Sequence, residues 1–326
     1  MQKYIFGPVP SRRFGASLGI DIVPPKYCTL DCIYCQIGRT TNLILRRKKY
    51  VAVSPILNEL KKYLKSKTKI DCITFSGSGE PTLNSNIGKM ISEIKKIALC
   101  STTGKKIPVV VITNGTLLFM KSVRNDLLKA DVVAPSLDAI LNFHKINRPH
   151  KSLDIKKIID GLVEFRKIYK GKIWLEVMFV KNINDSNEDI EELKKAIEQI
   201  KPDKIHLNTV VRPPAENYAK LLEYKKLLKI KKLFGKNCEI ISNENGENGQ
   251  KNEMGQIGTD IQQKILEILK RRPMRLIDLK KISKETHHSH LSSQQSAKKY
   301  EVIQKELWVL ERKKKIALRN GWWVLI

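Results

Sequence analysis

Acidic side chains are scarce in this chain of 326 residues: 33 Asp and Glu stand against 61 Lys and Arg, a formal net charge of +28. Two causes remain open. Clustered Lys and Arg neutralise the phosphates of a polyanion, whereas a Lys-, Ile- and Asn-rich coding bias or heat adaptation puts Lys on solvated helix faces with no ligand. Long apolar runs are also missing. No stretch approaches the roughly 18 uninterrupted apolar residues of a membrane span, and Met1-Gln2-Lys3-Tyr4-Ile5-Phe6-Gly7-Pro8 lacks the apolar core of a signal peptide. A cytoplasmic protein without membrane contact is expected. Outside one segment the cysteines are unpaired: Cys72, Cys100 and Cys238 are scattered, which excludes a disulfide framework and a second metal motif and leaves core packing for all three. Unpaired thiols fit a reducing compartment. The length and an apolar content of 41% support one large domain plus a small one.

What is present is concentrated at Cys28-Thr29-Leu30-Asp31-Cys32-Ile33-Tyr34-Cys35, three cysteines spaced C-x3-C-x2-C directly after an apolar, strand-like stretch. Thiolates are soft ligands suited to zinc or iron-sulfur clusters, but structural zinc takes four ligands, usually in two pairs. Three thiolates at unequal spacing better fit a cubane with one iron left for an exogenous ligand. Zinc with a distant fourth cysteine and three cysteines packed as core residues are the rivals; Thr29, Asp31 and Tyr34 argue against a core strand. On this spacing the chain resembles the radical S-adenosylmethionine (radical SAM) enzymes. The resemblance implies a [4Fe-4S] cluster on Cys28, Cys32 and Cys35, with its unique iron chelated by the methionine part of SAM. It also implies radical cleavage of SAM and an electron donor of flavodoxin or ferredoxin type.

Between Asp21 and about Ser242, short apolar runs alternate with amphipathic stretches of helical period, the pattern of repeated β-α units. Six strands are expected, at 17–23, 70–75, 109–113, 131–135, 173–180 and 204–211. Ser54 with Pro55, and Ser186 with Asp189, read as helix starts. An α/β fold follows, a partial (β/α)6 TIM-like barrel over 1–242. The cysteine loop, Ser76-Gly77-Ser78-Gly79-Glu80, Asn114, Ser136 with Asp138, and Asn208 all fall at strand carboxyl ends, where such folds gather chemistry. Residues 243–258, polar and dotted with glycine, read as a linker. In 259–326, three helical patterns precede two strands around Asn320-Gly321, the strongest short signal for a type I′ turn. Three helices and a hairpin resemble a winged helix.

By resemblance, Ser76, Gly77, Ser78, Gly79 and Glu80 match the superfamily's glycine-rich loop, whose backbone meets the methionine ammonium of SAM. Asn114, Ser136 and Asp138 become candidates for the ribose or carboxylate of SAM, against the turn and cap roles those residue types favour anyway. Tyr34 resembles the aromatic position whose backbone contacts adenine. Glu176 interrupts an apolar strand and faces either the barrel interior or solvent; Asn208 contacts SAM or substrate, or caps its loop. Arg212 holds an anionic group or belongs to a stiff Arg-Pro-Pro connection. His287, His288 and His290 read as solvated loop histidines rather than ligands.

Gly7-Pro8-Val9-Pro10-Ser11-Arg12-Arg13, Asn147-Arg148-Pro149-His150 and Leu207-Asn208-Thr209-Val210-Val211-Arg212-Pro213-Pro214 resemble a little-characterised archaeal and bacterial radical SAM family, similar in its core to the tRNA wyosine synthases. Hydrogen abstraction from a substrate is implied. RNA is favoured by the basic winged-helix region, which has 16 Lys and Arg against 7 Asp and Glu from Gln256 onward. A peptide held by the hairpin and a non-enzymatic redox-sensing regulator that binds DNA are the alternatives.

Overall fold

The computed structural model describes residues 4–65, 70–99, 106–241, 258–279, 303–304 and 306–326. An eight-stranded sheet forms its centre. In chain order the strands are β1 (Ile5–Ser11), β2 (Gly15–Ile20), the two-residue β3 (Tyr27–Cys28) and β4 (Asn42–Leu43), β5 (Cys72–Phe75), β6 (Val109–Thr113), β7 (Val132–Pro135), β8 (Lys172–Phe179), β9 (Lys204–Thr209), β10 (Cys238–Ile240), β11 (Ile316–Arg319) and β12 (Trp322–Leu325). The large sheet runs β1-β2-β5-β6-β7-β8-β9-β10. From β2 onward every pairing in it is parallel, as β-α-β connections require, and only the edge strand β1 is antiparallel. The expected partial barrel is therefore the observed fold, extended by β1 at one edge and β10 at the other.

Helices α1 (Val53–Leu64), α2 (Ile87–Leu99), α3 (Lys121–Leu127), the short α4 (Phe143–Asn147), α5 (Ile155–Ile168), α6 (Asn187–Ile200) and α7 (Tyr224–Phe234) connect the strands. Their apolar stripes and the outward strand residues make one core: Ile56 and Leu60 of α1, Leu162 and Phe165 of α5, Leu193 and Ile197 of α6, and Ile73, Val109, Val111, Leu175 and Val177 of the sheet are buried together. Ser186 caps α6 by accepting the Asp189 N–H. Ser54 does not cap α1, whose cap position is Ala52, two residues earlier, with no side-chain cap.

The opposite sheet face obeys a period of two. Cys72, Val110, Val132, Ala134, Ile112 and Trp174 point inward and close one end of the barrel, with Phe14 stacked on Trp174 at 5.1 Å. Further along the same strands and just past their ends, the inward positions turn polar: Thr74, Ser76, Asn114, Ser136, Glu176 and Asn208. The carboxyl-terminal end of the barrel is thus a polar mouth over an apolar plug.

Of the expected winged helix, the structure describes α8 (Gly258–Leu269), helical residues 276–279 and 306–312, and the hairpin β11–β12. Residues 280–302 and 305, which include the three expected loop histidines, lie outside the described residues, as do Cys100 and nearly all of the expected linker. Asn320 and Gly321 both have positive φ, +49° and +77°, the requirement of a type I′ turn. Ile265, Ile268, Leu269, Met274, Leu307 and Leu310 pack with Phe6 and Val9 of β1 in a second core. No helix among the described residues is long and apolar enough to cross a membrane.

Candidate functional site

The cysteine segment follows β2 and is pinned by its backbone to the end of α4 and the residues just after it. Asp31 N–H donates to Asn147 O at 3.0 Å, Ile33 N–H to Ile146 O at 3.0 Å and His150 N–H to Thr29 O at 3.0 Å. Arg148 adds a bond from Nε to the Asp31 carbonyl at 2.8 Å. The Asn-Arg-Pro-His stretch, noticed in the sequence only as a family signature, is therefore the clamp of the cysteine loop. Two side-chain amides reach the sulfurs: Asn114 Nδ2 lies 3.4 Å from Cys28 Sγ and Asn147 Nδ2 3.3 Å from Cys32 Sγ.

Cys28 and Cys35 line a cavity of about 400 Å³ at the barrel mouth. Burial, with Glu80 nearby, pushes the Cys28 thiol up to about 12. Burial raises Cys32 well above its ordinary value, with Asp138 adding to the effect. Among the described residues no three His, Cys, Asp or Glu side chains stand as a single-ion site; thiolates around a cubane are held apart by the cluster itself. Cys72 and Cys238 are buried in β5 and β10, with Cys72 Sγ against the Phe14 carbonyl. Three soft donors, two amide N–H groups aimed at sulfur, and an open cavity beside them fit a cluster with a free corner.

The loop after β5 lies against the same cavity. A Cβ on Gly77 would collide with the Asp21 carboxylate and one on Gly79 with the Tyr27 carbonyl oxygen, so this backbone sits closer than any side chain permits. Ser76, Gly77, Gly79 and Glu80 line the cavity. Ser78 instead turns away, its hydroxyl and N–H both donating to Asp21. The Glu80 carboxylate faces inward as a clamp, accepting from Thr82 N–H (3.0 Å), the hydroxyls of Thr82 and Thr113, and Asn114 N–H (2.7 Å). Burial pushes this carboxyl upward while those four donors pull it down.

Asn114 spends its side chain on Thr29 Oγ1 at 2.7 Å, Cys28 and the Thr116 hydroxyl and N–H. Asp138 accepts from Tyr34 OH, Asn147 Nδ2 at 2.7 Å and Met178 N–H at 2.9 Å. Both side chains hold the loop through these bonds and both also line the cavity. Tyr34, through the same hydroxyl bond, locks the middle of the cysteine segment. Ser136 and Asn208 line the cavity with no side-chain partner among the described residues, so they are free to meet a ligand. Glu176 faces the interior, paired with Arg13, and the solvent-facing alternative falls away. Arg12, Arg13, Arg271 and Arg272 also line this cavity. Nothing in the local sequence pattern joins residues 12–13 to 271–272; only the tertiary fold does.

Residues 22–197 match the radical SAM superfamily model, and the chain belongs to that superfamily of enzymes, whose cofactors are a [4Fe-4S] cluster and SAM and whose members need a reductant. The chain is 37% identical over 233 residues to a UPF0026 protein of Methanocaldococcus jannaschii, covering 70% of each chain. It is a member of the UPF0026 family. A protein of Brachyspira hyodysenteriae named GTPase Obg is 46% identical over 240 residues, but the chain spans only 34% of its length, and no G-x4-G-K-[ST] phosphate loop occurs in the sequence here. The dual-specificity RNA methyltransferase RlmN of Buchnera aphidicola is 30% identical over 188 residues, 55% of this chain and 50% of that protein. Among solved structures, a radical SAM methyltransferase from Sphaerobacter thermophilus superposes with a TM-score of 0.52 at 16% identity over 69% of this chain and 65% of that one, a likeness of fold.

Proposed function

We propose that Cys28, Cys32 and Cys35 hold the cluster, that the backbone of 76–80 together with Ser136 and Asn208 receives SAM, and that the substrate enters the cavity beside them. When bound, the cluster, reduced by an external electron donor, would supply one-electron cleavage of SAM to methionine and a 5′-deoxyadenosyl radical able to abstract a hydrogen atom from the substrate. The chain's own residues prepare that chemistry. Asn114 and Asn147 donate N–H to two of the sulfurs, which stabilises thiolate charge; Asp138 fixes Asn147 and Tyr34; Glu80 ties the glycine loop to the end of β6. The observation that carries this reading is the convergence on one cavity of two of the cysteines, the close-approach glycines and the unpartnered Ser136 and Asn208.

RNA is the substrate class we favour. Its support is the resemblance to RNA methyltransferases over about half the chain and the net charge of +28. Anaerobic reconstitution followed by assay for 5′-deoxyadenosine tests the reaction. Cys32→Ala is expected to lose cluster iron, brown absorbance and SAM cleavage, and Cys72→Ala to keep all three. Recovery of zinc alone, or a cluster whose electron paramagnetic resonance spectrum ignores added SAM, rejects the assignment. Binding to RNA that weakens steeply with salt supports the substrate class; salt-insensitive capture of a peptide rejects it.

A further inference from the structure

The cavity has a second wall that the cofactor reading does not use. Arg12 and Arg13 come from the turn between β1 and β2, Arg212 follows β9, and Arg271 and Arg272 follow α8. Arg275 stands close behind them, stacked on Trp322 of β12 at 5.2 Å, while Arg212 stacks on the same ring at 5.5 Å. Three of these guanidinium groups have carboxylates: Arg13 pairs with Glu176, Arg271 with Asp21 at 3.2 Å and Arg275 with Asp278 at 3.4 Å. Arg12, Arg212 and Arg272 have no carboxylate of their own among the described residues. Arg272 donates to the Pro10 carbonyl at 3.3 Å and Arg212 to Gln36, while Arg212 Nε is buried with no hydrogen-bond partner among the described residues.

Like charges gathered in a half-buried wall repel and lose hydration, a cost that a bound anion removes. We infer that the seam between the barrel and the carboxyl-terminal helices binds an oxyanion, a phosphate or carboxylate group carried by the substrate, on Arg12, Arg212 and Arg272. The guanidinium fork suits such a group because it donates two parallel N–H bonds. Burial, with Arg272 and Arg12 alongside, holds Arg212 well below its ordinary value, and burial brings Arg272 down to about 10, with the Asp278 carboxylate opposing and Arg12 adding to the shift. Both directions agree with an unfilled demand for negative charge. Trp322 lies against the Arg212 guanidinium, so the hairpin takes part in building the site.

The inference rests on the proposed reaction only in making the oxyanion part of the substrate. Calorimetric titration of the full chain at low salt with inorganic pyrophosphate, inorganic phosphate and succinate tests it. One equivalent is expected to bind, with Arg272→Ala and Arg12→Ala each weakening binding by about tenfold or more and Lys229→Ala, on the exposed face of α7, leaving it unchanged. Preference for the phosphates or for succinate tells which source the group has. Arg212→Lys, which keeps the charge and loses the fork, is expected to fall between. Absence of saturable binding, equal binding by the arginine variants, or displacement of the anion by SAM overturns the inference. Iron content and 5′-deoxyadenosine formation, measured without anion on the same preparations, depend on the cysteine loop, so failure of the anion site and failure of the proposed reaction are told apart. Melting temperatures of the two alanine variants at or above that of the parent exclude misfolding as the cause of lost binding.

Discussion

The side-chain amide of Asn147 donates to Cys32 Sγ at 3.3 Å and, through the same nitrogen, to Asp138 Oδ2 at 2.7 Å. One buried side chain therefore links a candidate cluster ligand to the carboxylate that also receives Tyr34 and the Met178 N–H.

Asn147→Ala should act on both partners. Asp138 keeps two of its three donors and loses about 1–3 kcal/mol of satisfaction, visible as a lower denaturation midpoint. Loss of an N–H bond to sulfur should also move the cluster potential to more negative values, read by anaerobic redox titration. An unchanged potential with lowered stability would confine Asn147 to a structural role.

Glu80→Ala should be among the more damaging single changes in the barrel. The hydroxyls of Thr82 and Thr113 and the N–H of Asn114 are left without an acceptor in a buried position, a cost of about 3 kcal/mol or more. Glu80→Gln, which keeps one accepting oxygen, should lie between the parent and the alanine variant in urea denaturation.

His206 of β9 is buried, its ring edge-on to Trp174 at 5.4 Å, with Nδ1 unpartnered. Burial, helped by Arg13, lowers its pKa from 6.5 to about 4. The sign follows from linkage: between pH 6.5 and about 4 the unfolded chain takes up a proton that the folded chain refuses, so stability declines as pH drops through that window. The loss reaches about 3 kcal/mol at its lower end. Chemical denaturation at pH 7 and pH 4.5 should show that slope in the parent and a flatter one in His206→Leu.

Much of the barrel was legible because its strands carry dense β-branched runs; Val109–Thr113 has the bounds its sequence suggests. The first strand was not. Ile5–Ser11 holds Pro8 and Pro10, which argue against a central strand, and it survives as an edge strand, where a missing N–H costs little. The cysteines and the glycine loop could be found because each packs its chemistry into a few consecutive residues. Glu176 could not be oriented until the alternation along β8 put Trp174, Glu176 and Met178 on the inner face. Asn114 and Asp138 are legible as polar strand ends, but their bonds to the cysteine segment depend on partners up to 104 residues away. Of the arginine wall only Arg212 was legible, since Arg12 and Arg272 come from opposite ends of the chain.

The shared packing of Phe6 and Val9 with Ile265, Ile268 and Leu307 bears on biogenesis. Translation at about 5–20 residues per second delivers the first of these side chains on the order of ten seconds or more before the last. During that interval the nascent edge strand carries an apolar face with nothing to cover it, and chaperone occupancy on stalled ribosomes should concentrate there until the final helix has emerged.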